Sequence, residues 1–254
     1  MKNNLKMLGL ALCMLPMGLH AGTGENLKQT DQAAELIPAG TILPVTLNSS
    51  LRSDKSARGA TVTATVVEDI PLGEGRTLRA GSKVTGHVVK TITPGTGSDK
   101  SEISFQFDRL RFEDRTVPIT ATLKALASSI EVNAAQIPTG SEDGVSEVLW
   151  SLVKIGEDQI HNSPERSAEC GGGSNATHTP QAFWLFSSDA CGAYGFGDLR
   201  ILQSGRTEPF GEVTLATNRR AVNIEKGSAM LLRVGGSGPG AAQARMISSQ
   251  ETGQ

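Results

Sequence analysis

Ile37-Pro38-Ala39-Gly40-Thr41 leads into Ile42–Leu47, Leu78-Arg79-Ala80-Gly81-Ser82 into Lys83–Val88, and Ile224-Glu225-Lys226-Gly227-Ser228 into Ala229–Val234. The three phrases share one grammar: an apolar residue, any residue, Ala or Lys, Gly, Ser or Thr, then an apolar-rich run. Glycine takes a positive φ without a Cβ clash, so Gly40, Gly81 and Gly227 read as tight structural turns, each at the entry to a strand. Two copies fall early and one near the end, so the last strand is expected to return beside the first ones and close the sheet. A chain that repeats a corner before strands describes sheet architecture rather than a reaction centre.

Working outward, the β pattern continues. Thr61–Val66 alternates, with Val62, Ala64 and Val66 on one face and threonines on the other, as in a half-buried strand. Ser82–Thr93 is another β-rich run, closed by the loop signal of Pro94–Asp99. Ile103, Phe105 and Phe107 share a face, while Leu110 and Phe112 fall out of phase. A bulge near Asp108–Arg109 restores them. Glu113-Asp114 reverses the chain into Thr116–Thr122 as a hairpin, and strands return at Gly211–Thr217 and Ala221–Val234. The predicted fold is all-β, a barrel or sandwich of about 8–10 strands in one domain over residues 37–234.

The middle reads differently. Leu123–Gln136 is rich in helix formers, and Val145, Val148, Leu149 and Leu152 recur at helical spacing. Residues 156–181 are polar and rich in Gly, Ser and Asn. Together they predict a small helical and loop insertion over 123–181. Phe183-Trp184-Leu185-Phe186 is expected to form a buried strand, although Trp184 and Tyr194 also suit an exposed binding surface.

The chain has 254 residues and a formal charge of −2, so no basic face recommends nucleic acid as a partner. Lys2 and Lys6 precede an apolar Leu8–Leu15, and Leu19-His20-Ala21 ends on a small residue. This is the layout of a secretory signal peptide over residues 1–21, too short for the ~20 apolar residues of a span. Residues 22–36 then read as a flexible leader and 235–254 as a disordered tail. Export to the periplasm or the extracellular space is expected, with no transmembrane helix after cleavage. Cys170 and Cys191 would remain, and an even pair in an exported protein reads as a disulfide.

Motifs for chemistry do not emerge. His87, His161 and His178 stand apart without metal-ligand spacing, and neither a phosphate-binding glycine loop nor a nucleophile elbow occurs. Ser187-Ser188-Asp189-Ala190-Cys191-Gly192 is similar to the stretch before a trypsin-like nucleophile, but Ala193-Tyr194-Gly195-Phe196 stands where the serine motif would follow. No catalytic, cofactor-binding or metal residues are therefore assigned. Asn48-Ser49-Ser50 and Asn175-Ala176-Thr177 match the glycosylation pattern.

The corner phrases also carry a resemblance. Ile37–Leu47, Ser53-Asp54 with Gly59, the strand Val62–Val67, and the second corner Leu78–Gly86 follow one another in order. So do the strand pair Ile103–Phe112 and Val117–Thr122 and the closing Ile224–Val234. This succession resembles the β-barrel domain of the conjugal-transfer and type IV secretion outer-membrane core protein family, over residues 37–122 and 221–234. The family's antenna and transmembrane helix have no evident counterpart. The resemblance implies a β-barrel and a place in an envelope assembly, with a protein partner or self-association. A non-enzymatic structural or protein-interaction module is the expected function. One alternative is a carbohydrate or cell-wall polymer binding module using Trp184 or Tyr194. Another is a hydrolase whose dispersed site would gather Asp189, Asp198, Arg206 and His161.

Overall fold

Each corner phrase folds into the same turn. In the computed structural model, which describes residues 37–95, 99–136, 154–156 and 181–235, the carbonyls of Pro38, Arg79 and Glu225 accept from the N–H of Thr41, Ser82 and Ser228 at 3.2, 3.2 and 3.1 Å. Gly40, Gly81 and Gly227 hold φ of 88°, 90° and 87° at the third position, the signature of a type II turn. Each turn then clasps the end of another strand. Gly40 N–H donates to Val234 O at 2.7 Å, and Val234 N–H donates back to Thr41 O at 2.9 Å. The same reciprocal pair links Gly81 and Ser82 to Val66 at 2.8 Å each way, and Gly227 and Ser228 to Leu47 at 3.0 and 2.9 Å. The apolar residue that opens each phrase (Ile37, Leu78 or Ile224) is buried in the main core. The repeated grammar is thus a buried anchor, a turn that requires glycine, and a clasp that satisfies backbone groups at a strand end.

The strands in chain order are β1 (Ile42–Leu47), β2 (Leu51–Arg52), β3 (Thr61–Val66), β4 (Ile70–Gly73), β5 (Arg76–Leu78), β6 (Lys83–Ile92), β7 (Ser101–Phe112), β8 (Arg115–Pro118) and β9 (Ala121–Ala127). The helix α1 (Ser129–Ala135) follows, then β10 (Gly192–Tyr194), β11 (Arg200–Ser204), β12 (Glu212–Thr217), β13 (Asn223–Ile224) and β14 (Ala229–Val234). Nine of them run in the order β10-β9-β14-β1-β3-β6-β7-β12-β11, and β8 joins β7 to complete a ten-stranded sheet. The two end strands approach each other, so the sheet is a nearly closed barrel. β14 lies antiparallel to β1, with Val45 opposite Met230, which is the closure expected from the placement of the third corner.

Alternation fills the interior. Leu43, Val45 and Leu47 of β1, Val62, Ala64 and Val66 of β3, and Val84 and Val88 of β6 all enter one buried cluster. Phe105 and Phe107 meet there edge-to-face, with ring centroids 5.8 Å apart. Burial of each such large side chain stabilises by roughly 1.5–3 kcal/mol. The pairing of β6 with β7 steps from Thr85↔Arg109 to Gly86↔Phe107, which makes Asp108 the extra residue of a bulge and returns Leu110 and Phe112 to the interior. Gly86 sits at that step, where an added Cβ would fall 1.8 Å from Gln106 O, so the strands cross too closely there for any side chain.

Three sequence expectations change. Ala121–Ala127 is a core strand, so the insertion does not begin at residue 123, and only Ser129–Ala135 of Leu123–Gln136 is helical. Its Ala and Leu content favours helix locally, but β9 is buried on both faces and pairs with β14 along its length. Burial overrides a weak propensity. Lys124 is skipped in that pairing, so Leu123 faces the main core while Ala125 and Ala127 face a second cluster outside the barrel wall. Second, Phe183–Phe186 is a turn rather than a strand. Trp184 takes φ 50°, and a single bridge joins Phe186 to Ile155. Third, the strand after Glu113-Asp114 ends at Pro118 and a new one starts at Ala121. The stripe Val145–Leu152, the leader and residues 236–254 of the tail lie outside the described residues.

Candidate functional site

The second cluster is where the unusual residues of the sequence gather. Phe186 is fully buried there with Leu185, Ile155, Ala190 and Leu231, while Phe183, Trp184 and Tyr194 pack against it half-buried. Lys124 Nζ donates to Ser188 O at 2.5 Å and stands 5.2 Å from the Phe183 ring centroid, pinning the 183–188 turn onto β9. Burial, with Arg233 nearby, lowers the Lys124 pKa against a smaller opposing pull from Asp189. The Tyr194 hydroxyl accepts from Cys191 N–H at 2.9 Å and donates to Cys191 O at 3.0 Å, closing the loop that carries Cys191. Trp184 and Tyr194 therefore each lean against a small core with part of the ring left in solvent. Cys170 lies outside the described residues.

Next to this cluster the third corner, the start of α1 and the β10–β11 connection meet around a shallow cleft of about 190 Å³. Ser128 caps α1, its Oγ accepting from Glu131 N–H at 3.2 Å, while its own N–H donates to Tyr194 O at 3.0 Å and ties helix to β10. Ile130, one residue into the helix, lines the cleft and is 73% exposed. Phe196, Leu199 and Val222 supply further apolar lining.

The rim is polar and mostly self-satisfied. Asp198 accepts from Thr217 Oγ1 at 2.7 Å and pairs with Arg219 Nε at 2.8 Å. Burial pushes its carboxyl up, but the Thr217 hydrogen bond and the Arg219 charge outweigh this and hold it below the usual carboxylate range. Ser129 Oγ donates to Glu225 Oε2 at 3.1 Å. Ser228 is the exception: its Oγ is buried and finds no hydrogen-bond partner among the described residues.

The dispersed quartet does not assemble here. Asp198 lines the cleft, Asp189 and Arg206 are exposed and do not line it, and His161 lies outside the described residues. His87, on the outer face of β6, is held by Asp108 Oδ2 at 3.1 Å on Nδ1 and by Gln106 Nε2 at 3.2 Å on Nε2. Among the described residues no group of three or more His, Cys, Asp or Glu gathers to hold a metal, and no helix is long and apolar enough to cross a membrane. Gly40, Gly81 and Gly227 form the tight turns that the sequence predicts. The residues that sequence reasoning missed are Ile130, Thr217, Arg219 and Glu225. One signal was available, since Ser128-Ser129-Ile130-Glu131 is a capping-box pattern that marks the helix start. A scan against protein-family models finds no match for the chain, and a search of curated proteins finds none either.

Proposed function

We propose that the chain is an exported cell-envelope protein whose barrel-like domain acts without catalysis, as a structural or protein-interaction module in a secretion-type assembly. The observation that carries this reading is Ile130, a large apolar side chain left in solvent at the edge of a cleft with apolar lining. Covering such a side chain with a partner gains roughly 1.5–3 kcal/mol, and apolar residues at a cleft with a hydrogen-bonded rim are the anatomy of a docking surface. A disulfide between Cys191 and Cys170 would tie the returning end of the insertion close to this surface. The signal-peptide layout of residues 1–21 supports export, and the order of the corner motifs supports the likeness to the secretion-core family.

The test is crosslinking and affinity capture of the tagged full chain from native envelopes. Recovery of a defined partner, secretion-core subunits foremost, that is lost with Ile130→Asp supports the reading. A monomer without partners, or capture indifferent to Ile130→Asp, overturns it. Mass spectrometry of the exported product should find Gly22 at the N-terminus and a Cys170–Cys191 linked peptide under non-reducing conditions. An uncleaved chain removes the export reading, and two free thiols remove the disulfide.

A further inference from the structure

A second cleft, of about 290 Å³, lies beside the second corner. That corner clasps the end of β3, which pairs with the middle of β1, whereas the third corner clasps Leu47 at the end of β1. Arg79, Lys83 and Arg111 line the cleft, with Glu113 the one acid among its lining residues. The chain as a whole carries a formal charge of −2, so this concentration of cations is local.

Register explains why the cations are close. Val84 and Leu110 are partners across β6 and β7 and both point into the core. Lys83 and Arg111 flank that pair on antiparallel strands, so they lie opposite each other on the outer face, and both are exposed. Like charges directly opposite on neighbouring strands repel. Arg79 is already balanced: Asp69 Oδ2 takes its guanidinium at 2.7 Å, and Asp69 Oδ1 accepts Ala80 N–H at 2.8 Å. Among the described residues Lys83 and Arg111 make no ion pair, with Glu113 or any other acid. The fold has therefore placed an unneutralised pair of cations in a cleft that Thr77 and Phe112 also line, where an anionic group would relieve their repulsion.

We propose that this cleft receives the carboxylates of a short acidic peptide segment on a partner protein. A short segment meets the two cations without approaching the rest of the surface. An extended polyanion or an anionic membrane plane would also face the chain's net negative charge, and affinity for such surfaces rests on a broad basic face. The proposal rests on the interaction-module reading but concerns a different surface.

The probe is a fluorescent six-residue glutamate peptide, titrated by anisotropy against the full mature chain. Binding is expected at low salt, weakening as ionic strength rises from about 20 to about 200 mM. Lys83→Glu with Arg111→Glu should weaken it at least about tenfold. Lys55→Glu with Arg58→Glu, an equal charge change on exposed residues outside the cleft, should change it less than about twofold. Lys83→Gln with Arg111→Gln serves if the reversed variant does not fold, and should also lose binding. Absence of binding by the unaltered chain, equal loss in the control, or preferential binding to phosphatidylserine vesicles each overturns the proposal. Ile130→Asp should leave peptide binding intact, so failure at either surface is separable from failure at the other.

Discussion

The first and third corners share a backbone and differ in what surrounds it, beginning with the hydroxyl of the Ser/Thr position. Around both, glycine holds a φ within a degree of the other, 88° against 87°, and both clasp a strand end by two hydrogen bonds of 2.7–3.0 Å. Thr41 Oγ1 donates to Pro38 O at 2.6 Å, inside its own turn. Ser228 Oγ is equally buried and has no partner among the described residues. The backbone motif therefore does the architectural work at both places, and the side chain of the Ser/Thr position is free to differ. At the first corner it locks the turn. At the third it sits against the cleft beside α1, unpartnered, at a desolvation cost of about 1–3 kcal/mol for a buried group without a hydrogen bond.

The largest way to break this equivalence is through the anchors. Ile37→Ala and Ile224→Ala each empty a buried site next to a corner, and each should cost about 2–4 kcal/mol in urea unfolding. Similar losses support a shared anchor role; a loss under about 1 kcal/mol at Ile37 would mean that the first corner is held chiefly by its clasp. Next come the glycines. Gly81→Ala and Gly227→Ala place a Cβ in open space or at ordinary contact, 3.7 Å from Ser129 Cβ for Gly227, so the whole effect is backbone strain at positive φ. Each should cost about 1–2 kcal/mol, and the two should agree closely. A much larger loss at Gly227 would show that the cleft beside it is tighter than its geometry implies.

The corners were legible in the sequence because glycine, a small hydroxyl residue and a buried anchor are local demands with local signatures. The Asp108 bulge was legible for the same reason: Ile103, Phe105, Phe107, Leu110 and Phe112 can share one face only if a residue is skipped. β9 was not, since Ala121–Ala127 becomes a strand only through burial between two clusters that the local pattern does not reveal. Trp184 misled in a similar way, its aromatic neighbours suggesting a strand where the chain turns. The cleft was the least legible part. Ser129 and Glu225 meet across 96 residues, and Asp198 meets Thr217 across 19. Those contacts are products of barrel closure and have no spacing signature.

The hydroxyls give a smaller and more direct test of the comparison. Thr41→Val removes a bond while keeping shape, and should cost about 0.5–1.5 kcal/mol. Ser228→Ala removes a polar atom that has no partner, and should be neutral or stabilising by up to about 1 kcal/mol. Opposite signs in paired denaturation curves would sharpen the distinction between the two corners. If Ser228→Ala instead destabilises as much as Thr41→Val, the hydroxyl has a partner in the folded chain and the contrast fails.

The smallest expected effect concerns the rim of the third corner's cleft. Asp198 is held below its ordinary pKa in the folded chain, with burial opposing and the Thr217 bond and Arg219 prevailing. A carboxyl whose folded value is depressed stabilises the fold above its unfolded value of about 3.9, and that contribution is lost as pH falls through the folded value. The unaltered chain should therefore lose Tm more steeply than Asp198→Asn between about pH 5 and pH 2. The side chain is 33% exposed and Arg219 70%, so solvent and salt screen the pair, and raising ionic strength should narrow the difference. Parallel acid-unfolding profiles for the two proteins would show that Asp198 is a bystander, leaving Ser129–Glu225 and the apolar lining as the features that distinguish the third corner from the first.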